Sequence, residues 1–141
     1  MSVDVKFAKG LAKQLRLVKK AVKIGGVNGL AATTAKGKDA VIESMEGPKS
    51  GIMYGEHQAS APGETPAVDT GELAAGIKTK TVKSKLTSNL ISSDKKSAGL
   101  EFGTLRVEPR PFMMPTSRFM AEILRDEVEK GIIDEINRTI K

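Results

Sequence analysis

Phe7, Leu11, Leu15, Val18 and Val22 recur at three- and four-residue intervals, the spacing that gathers side chains along one stripe of an α-helix. The pattern predicts a helix near the start of the chain, with Lys6, Lys9, Lys13, Arg16, Lys20 and Lys23 covering much of its remaining surface. Gly25, Gly26 and Gly29 interrupt it. Each weakens a helix by about 1 kcal/mol relative to alanine, which predicts a bend or the close approach of another backbone. Helical character resumes through Val41, Ile42 and Met45 and stops at Gly47-Pro48, because glycine closes a helix and proline cannot extend one. At the other end of the chain, Phe119, Ile123, Leu124, Val128, Ile132, Ile136 and Ile140 form a broad apolar band. A last helix beginning near Pro115 or Thr116 would carry that band into a core or a subunit interface.

The middle of the chain follows other rules. From Pro48 to Val68 it is punctuated by proline and glycine and reads as a loop. Ordering backbone costs about 1–2 kcal/mol per residue, so a loop this long predicts an arm that becomes ordered against neighbouring subunits; a plain surface loop is the alternative. Asp69 or Thr70 can cap a short helix reaching Ala75, with Glu72 as the acid of a capping box. Ile77 to Lys83 and Lys85 to Ser92 are rich in Thr, Val, Ile and Leu and predict two strands joined near Ser84. Leu100 to Phe102 and Leu105 to Val107 read as further extended pieces around Gly103, giving three or four antiparallel strands. Pro109, Pro111 and Pro115 force an extended or turning path into the last helix. The expected fold is α+β: a small antiparallel sheet packed by the N-terminal and C-terminal helices, with an extended arm, in one domain over residues 1–141. Its regions are 1–47, 48–68, 69–108 and 109–141.

Composition narrows the chemistry. With no tryptophan and one tyrosine, the core must be aliphatic, with Phe7, Phe102, Phe112 and Phe119 as its few large anchors. A thin core favours support from neighbouring subunits. The absence of cysteine removes disulfides and thiolate chemistry. Gly37-Lys38-Asp39 fails as a phosphate loop, since Ala32 stands where the first glycine belongs and Asp39 where a serine or threonine would meet magnesium. Gly25 to Gly29 lacks the order of a dinucleotide loop. His57, Ser60 and Asp69 have no nucleophile-elbow or oxyanion-hole pattern around them. No catalytic, cofactor or metal set is therefore expected, and an enzyme is not the reading. No apolar run approaches the roughly 20 residues of a membrane span, and the N-terminus lacks the apolar segment of a signal peptide; the expected site of synthesis is the cytosol, without membrane contact.

The net charge of +6 is uneven. Residues 1–47 hold nine Lys and Arg against four acids, whereas residues 116–141 hold five against six. Such a gradient suits head-to-tail contact between subunits, or a basic face meeting DNA or an acidic protein. Lys78, Lys80, Lys83 and Lys85 add a basic hairpin suited to duplex DNA or an acidic partner, with a merely solvated hairpin as the alternative. The scarcity of aromatic side chains argues against base stacking on single strands.

Three motifs, Pro66-Ala-Val-Asp-Thr-Gly-Glu-Leu73, Glu101-Phe-Gly-Thr104 and Arg110-Pro-Phe112 with Pro115, follow one another in an order and spacing that resembles the head-to-tail joining and tail-component family of long-tailed bacteriophages. The resemblance covers nearly the whole chain. Met113-Met114 and Gly99-Leu100 depart from the family pattern. The resemblance implies a structural virion protein of the neck. It would be a ring, with six-fold symmetry favoured, that joins the head connector to the tail and leaves a channel for DNA. A tail terminator or a small basic DNA-binding protein are the alternatives. The implied partners are further copies of the chain, the head-closure or connector protein, and tail-terminator or tail-tube proteins; the implied location is the virion, and the host cytoplasm during assembly. Subunit contacts are expected at Tyr54, His57, Pro62, Glu64 and Pro66 of the arm, at Asp69, Thr70 and Gly71 of the turn, and at Arg110, Pro111 and Phe112 of the hinge.

Overall fold

The computed structural model describes residues 5–140, and side chains from residue 10 onward. Phe7, Lys6 and Lys9 therefore lie outside the described side chains, although the backbone of their helix is described. The fold is α+β. A long helix α1 (Val5–Glu46) is followed by a two-residue-per-strand hairpin, β1 (Met53–Tyr54) and β2 (His57–Gln58). A single helical turn, α2 (Glu72–Ala75), leads into a longer hairpin, β3 (Ile77–Val82) and β4 (Thr87–Ser92). A short helix α3 (Ser97–Phe102) and a long helix α4 (Met113–Ile140) complete the chain.

α1 runs unbroken through its glycines. Seven of its buried residues form a row of period four, Ala21, Gly25, Gly29, Thr33, Gly37, Val41 and Met45, with Val27 and Thr34 buried beside it. Such an i+4 row is one of the ridges along which helices pack. Here its upper part is made of the smallest side chains, and α4 lies directly on it. A Cβ added at Gly25 would sit 2.5 Å from Ile132 Cα, and one at Gly29 would sit 2.5 Å from Glu127 O. Gly131 of α4 mirrors this, since its Cβ would collide with the backbone at Gly25 and Gly29. Of the two expectations for these glycines, close approach is the one realised. Gly26, off this row, has nothing within 4 Å. Gly37 has a different task from phosphate binding: it lies mid-helix and leaves room for the Met120 side chain. α1 ends at Gly47-Pro48 as expected, and Lys49 Nζ donates to the carbonyls of Ser44 and Gly47 at 2.7 and 2.9 Å, satisfying acceptors that the helix leaves free.

Where the α1 row changes from small to large side chains, the core begins. Val41, Met45, Ile77 and Phe112 are essentially inaccessible, with Ile42, Leu73, Ala74, Leu90, Leu100 and Met113 packed around them. The core therefore joins α1, the β3–β4 hairpin and the entry to α4. Of the four phenylalanines only Phe112 belongs to it among the described side chains: Phe102 is 77% exposed and Phe119 lies at the surface. The α4 band is likewise half-buried rather than core, with Leu124 and Ile140 open to solvent.

The sheet differs from expectation. Instead of three or four strands in one sheet there are two separate two-stranded antiparallel hairpins. β3 and β4 pair in the register Ile77↔Ser92 to Val82↔Thr87, close to the expected strands. Their turn is a single 3₁₀ turn over Lys83–Lys85 that closes on Leu86 with φ 51°. Thr34 on α1 reaches Ser88 Oγ at 2.7 Å, which in turn meets Thr81 Oγ1 at 2.9 Å, fastening the hairpin to the long helix. Leu100 to Phe102 is helical in α3, not extended, and the Leu105 to Val107 segment pairs with no strand.

Candidate subunit interface

The region carrying the three motifs is built outward from the start of α4. That helix opens at Met113, two residues earlier than expected, and the carboxylate of Glu101 caps it. Phe112 N and Met113 N donate to Glu101 Oε2 at 2.8 and 2.9 Å, and Met114 N donates to Oε1 at 2.8 Å. Three amides that the helix cannot satisfy thus converge on one negative charge, at the positive end of the helix dipole. Gly103 is needed beside it: its φ of 76° is costly for any side chain, and a Cβ there would press on Pro109 at 3.0 Å. Thr104 Oγ1 then accepts from the amides of Arg106 and Val107. The Glu101-Phe-Gly-Thr104 and Arg110-Pro-Phe112 motifs are therefore two halves of one helix start. Replacing Glu101 with alanine should lower stability by about 1–3 kcal/mol, in the range for lost caps and lost charge-assisted bonds. Chemical denaturation checks this; Asp, too short to reach all three amides, should rescue little.

The arm between Pro48 and Val68 is ordered against its own chain. Gly51 and Ala59 pair across the base of the β1–β2 hairpin, with Gly51 N donating to Ala59 O at 3.0 Å. Gly55, φ 64°, turns the tip. Ala61-Pro62-Gly63-Glu64 is a tight turn with Glu64 N donating to Ala61 O and Gly63 at φ 83°, the type II arrangement that places proline second and glycine third. The Glu64 carboxylate closes this loop by accepting from Ser50 N at 3.1 Å, Ala61 N at 2.8 Å and Ser50 Oγ.

These bonds hold the Glu64 pKa below its ordinary value of 4.5, the Ser50 hydroxyl contributing most, the amides of Ala61 and Ser50 next, and nearby Lys49 a little. A carboxyl lowered on folding stabilises the folded arm above its ordinary pKa, and that contribution disappears as pH falls through the lowered one. Acidification below about pH 4.5 should therefore loosen residues 50–64 first, and Glu64→Gln should abolish that pH dependence. Hydrogen exchange at the Ala61 amide against pH is the measurement.

Arg110 ties the arm to the helix start. Its Nε donates to Ser60 O at 3.1 Å, its own amide donates to Leu100 O, and Gly63 N donates to Pro109 O at 2.9 Å. His57, Pro66, Asp69, Thr70, Gly71 and Arg110 consequently line one cleft of about 240 Å³, floored by Met45 and Leu73. Six of the residues expected at a subunit contact are thus brought together. The others are dispersed: Tyr54 projects at the hairpin tip, Pro62 is exposed on the turn, Glu64 is engaged inside the arm, and Pro111 is half-buried. Phe112 is 1% exposed and Pro66 is buried, so neither is free to touch another chain. Phe112 instead anchors α4 to the core. The capping expectation at Asp69 and Thr70 is also corrected: α2 is capped by Gly71 at φ 79° with no side-chain bond, leaving both residues exposed at the cleft rim.

Lys78, Lys80, Lys83 and Lys85 are all exposed, and Lys83 shares a groove with Lys23, Ile24, Val27 and Asn28 of α1. The hairpin turn at Lys83 is therefore continuous with the basic helix at Lys23, whereas Lys78 and Lys80 alternate with Thr81, whose face of the strand is the one fastened to α1. Sequence reading placed Glu101 in a motif but missed its capping role, whose three partners lie 11–13 residues downstream, and it named Tyr54 but missed the exposed apolar neighbours Ile52 and Met53. Among the described residues no group of three His, Cys, Asp or Glu is placed to hold a metal ion, and no helix is long and apolar enough to cross a membrane. Comparison of the chain with protein-family models, curated proteins and solved structures finds no match.

Proposed function

We propose that this chain is a structural assembly protein whose copies form a ring, and that the ring belongs to the neck of a tailed phage, between head connector and tail. The observation that carries the assembly part is the surplus of exposed apolar side chains at separated points. The tip residue Ile52 is 70% exposed, Phe102 at the end of α3 and fully exposed Leu105 on the turn after it are open to solvent, and Leu15 on α1 is 61% exposed. Contiguous exposed apolar side chains, as at Ile52, Met53 and Tyr54, are typical of contact surfaces. The placement of the exposed points in distinct regions of the fold suits a subunit with neighbours on more than one side, as a closed ring requires. The phage assignment rests on the three ordered motifs, two of which form one helix start and the third of which borders the same cleft. No bond-breaking step belongs to this reading; the roles of Asp69, Thr70, Gly71 and Arg110 are to shape and hold the contact.

Light scattering of the purified protein, with imaging of particles lacking it, tests the proposal. Closed oligomers, and heads that fail to join tails, are expected. Tails of uncontrolled length in its absence would instead assign it as a tail terminator. A second reading, duplex DNA binding, is favoured by the continuity of Lys23 with the Lys83 hairpin. Binding of duplex that weakens by orders of magnitude between about 50 and 200 mM salt, by a protein that remains a monomer, would select it.

A further inference from the structure

We infer that the N-terminal part of α1 from one copy docks into the groove between α1 and α4 of another. The two helices run antiparallel, with Gly29 against Val128 and Gly25 against Gly131. Continuing that register puts Ile140 beside Leu17, so α1 extends past this level by about a dozen residues, or about 18 Å at 1.5 Å per residue. Leu11 and Leu15 on this segment are exposed, with Leu17 at its edge and Val22 just beyond it; Leu11, Leu15 and Val22 belong to the hydrophobic stripe read from the sequence, which its own chain leaves open at these positions. From Gly10 to Ile24 there are five cations, Lys13, Arg16, Lys19, Lys20 and Lys23, and no acid. Two such segments would repel one another side by side.

The complementary surface is present on the same molecule. Leu30, Leu124, Val128, Ile132 and Ile133 line an open, mainly apolar groove of about 560 Å³. Glu122, Asp126, Glu129 and Ile133 follow at four-, three- and four-residue steps on α4, so an exposed acidic row runs along its edge, with Arg125 the cation in the lining. Of the described acids on α4, only Glu127 is paired with a lysine of α1, Lys36. An apolar stripe flanked by lysines thus matches an apolar groove flanked by carboxylates, and the matching occupant is a second copy. Val18, Val22, Gly26 and Leu30 continue the stripe along α1 into the groove as an i+4 row, so the surface is unbroken. The contact rests only on the self-assembly part of the preceding reading, not on the phage assignment.

Because the chain has no cysteine, Leu15→Cys and Ile133→Cys can be made separately and mixed. A disulfide joining a Leu15→Cys chain to an Ile133→Cys chain is expected, and Leu15→Cys alone should cross-link poorly. Leu11→Ser with Leu15→Ser should weaken self-association at least tenfold while leaving the thermal melt of the monomer unchanged. Arg16→Glu with Lys20→Glu should also weaken it, and Asp126→Lys with Glu129→Lys in the partner copy should restore it. Efficient linkage of Leu15→Cys chains to one another without the mixed disulfide, or undiminished oligomers in the serine variant, would overturn the docking contact and leave the ring reading standing. Mixed cross-links in a particle of only two chains would support the contact and overturn the ring.

Discussion

Phe112→Ala should be the most damaging single truncation in this protein, costing about 3–5 kcal/mol. Two causes combine. The side chain is 1% exposed and is one of four residues forming the inner core among the described residues, so its loss leaves a cavity among Val41, Met45 and Ile77 with few large neighbours to collapse into it. It also follows directly on the hinge, with its carbonyl accepting the Thr116 hydroxyl and its amide bound to Glu101, so the same substitution loosens the start of α4. Against the roughly 5–15 kcal/mol that hold a typical domain, a loss of this size leaves a substantially unfolded population or a melting temperature lower by on the order of 10 °C. Equilibrium urea denaturation is the direct measurement. Phe119→Ala, at an exposed position on the same helix, should cost less than about 1 kcal/mol.

The second large effect is at the helix crossing. Gly25→Ala and Gly29→Ala should each destabilise by about 2–3 kcal/mol, because the added methyl meets backbone atoms of α4 that cannot rotate away. Gly26→Ala, one position along, should stabilise by up to about 1 kcal/mol through helix propensity, since its Cβ meets nothing within 4 Å. Propensity alone predicts the same gain at all three positions, so opposite signs at Gly25 and Gly26 can come only from the packing. Thermal melts of the three variants, with circular dichroism to show retained helix, decide it. Gly131→Ala should behave like Gly25→Ala, and the pair should be non-additive because both methyls enter the same crossing.

Much of the fold was legible where period and punctuation act together. The two long helices, the β3–β4 strands and the Gly47-Pro48 stop follow from local rules. The period-four row from Ala21 to Met45 was not read from the sequence; it gives Gly25 and Gly29 their packing role, and α1 runs through them unbroken. What escaped is what depends on partners far along the chain. Leu100 to Phe102 carries an apolar-acid-apolar alternation that reads as strand, yet Lys96 O and Leu100 N close a helical turn there. Asp69 and Thr70 are good caps in isolation, but Gly71 in the left-handed region takes the capping position and turns α2 past them. The expected contact residues were only partly distinguishable from structural ones: His57, Asp69, Thr70 and Arg110 line an accessible cleft, whereas Phe112 and Pro66 were consumed by the fold.

The first stripe, Leu11 to Val22, is the most telling case. Its spacing specifies an amphipathic helix, and its own chain leaves Leu11, Leu15 and Val22 exposed, with Val18 half-buried. A side of a helix that is apolar by sequence and exposed in the fold shifts the question from how the chain folds to what it meets. The arm, expected to wait for a neighbour, is instead closed by Glu64 and Arg110. The proposed assembly therefore rests on the helix segment and the hairpin tip rather than on ordering of the arm.

Self-assembly through these surfaces is the central claim, and the mass of the protein in solution tests it most directly. Multi-angle light scattering over a range of concentrations should give a closed oligomer of fixed size, reduced toward the single chain by Leu11→Ser with Leu15→Ser. A single 15.0 kDa species at every concentration, unchanged by those substitutions, would contradict it.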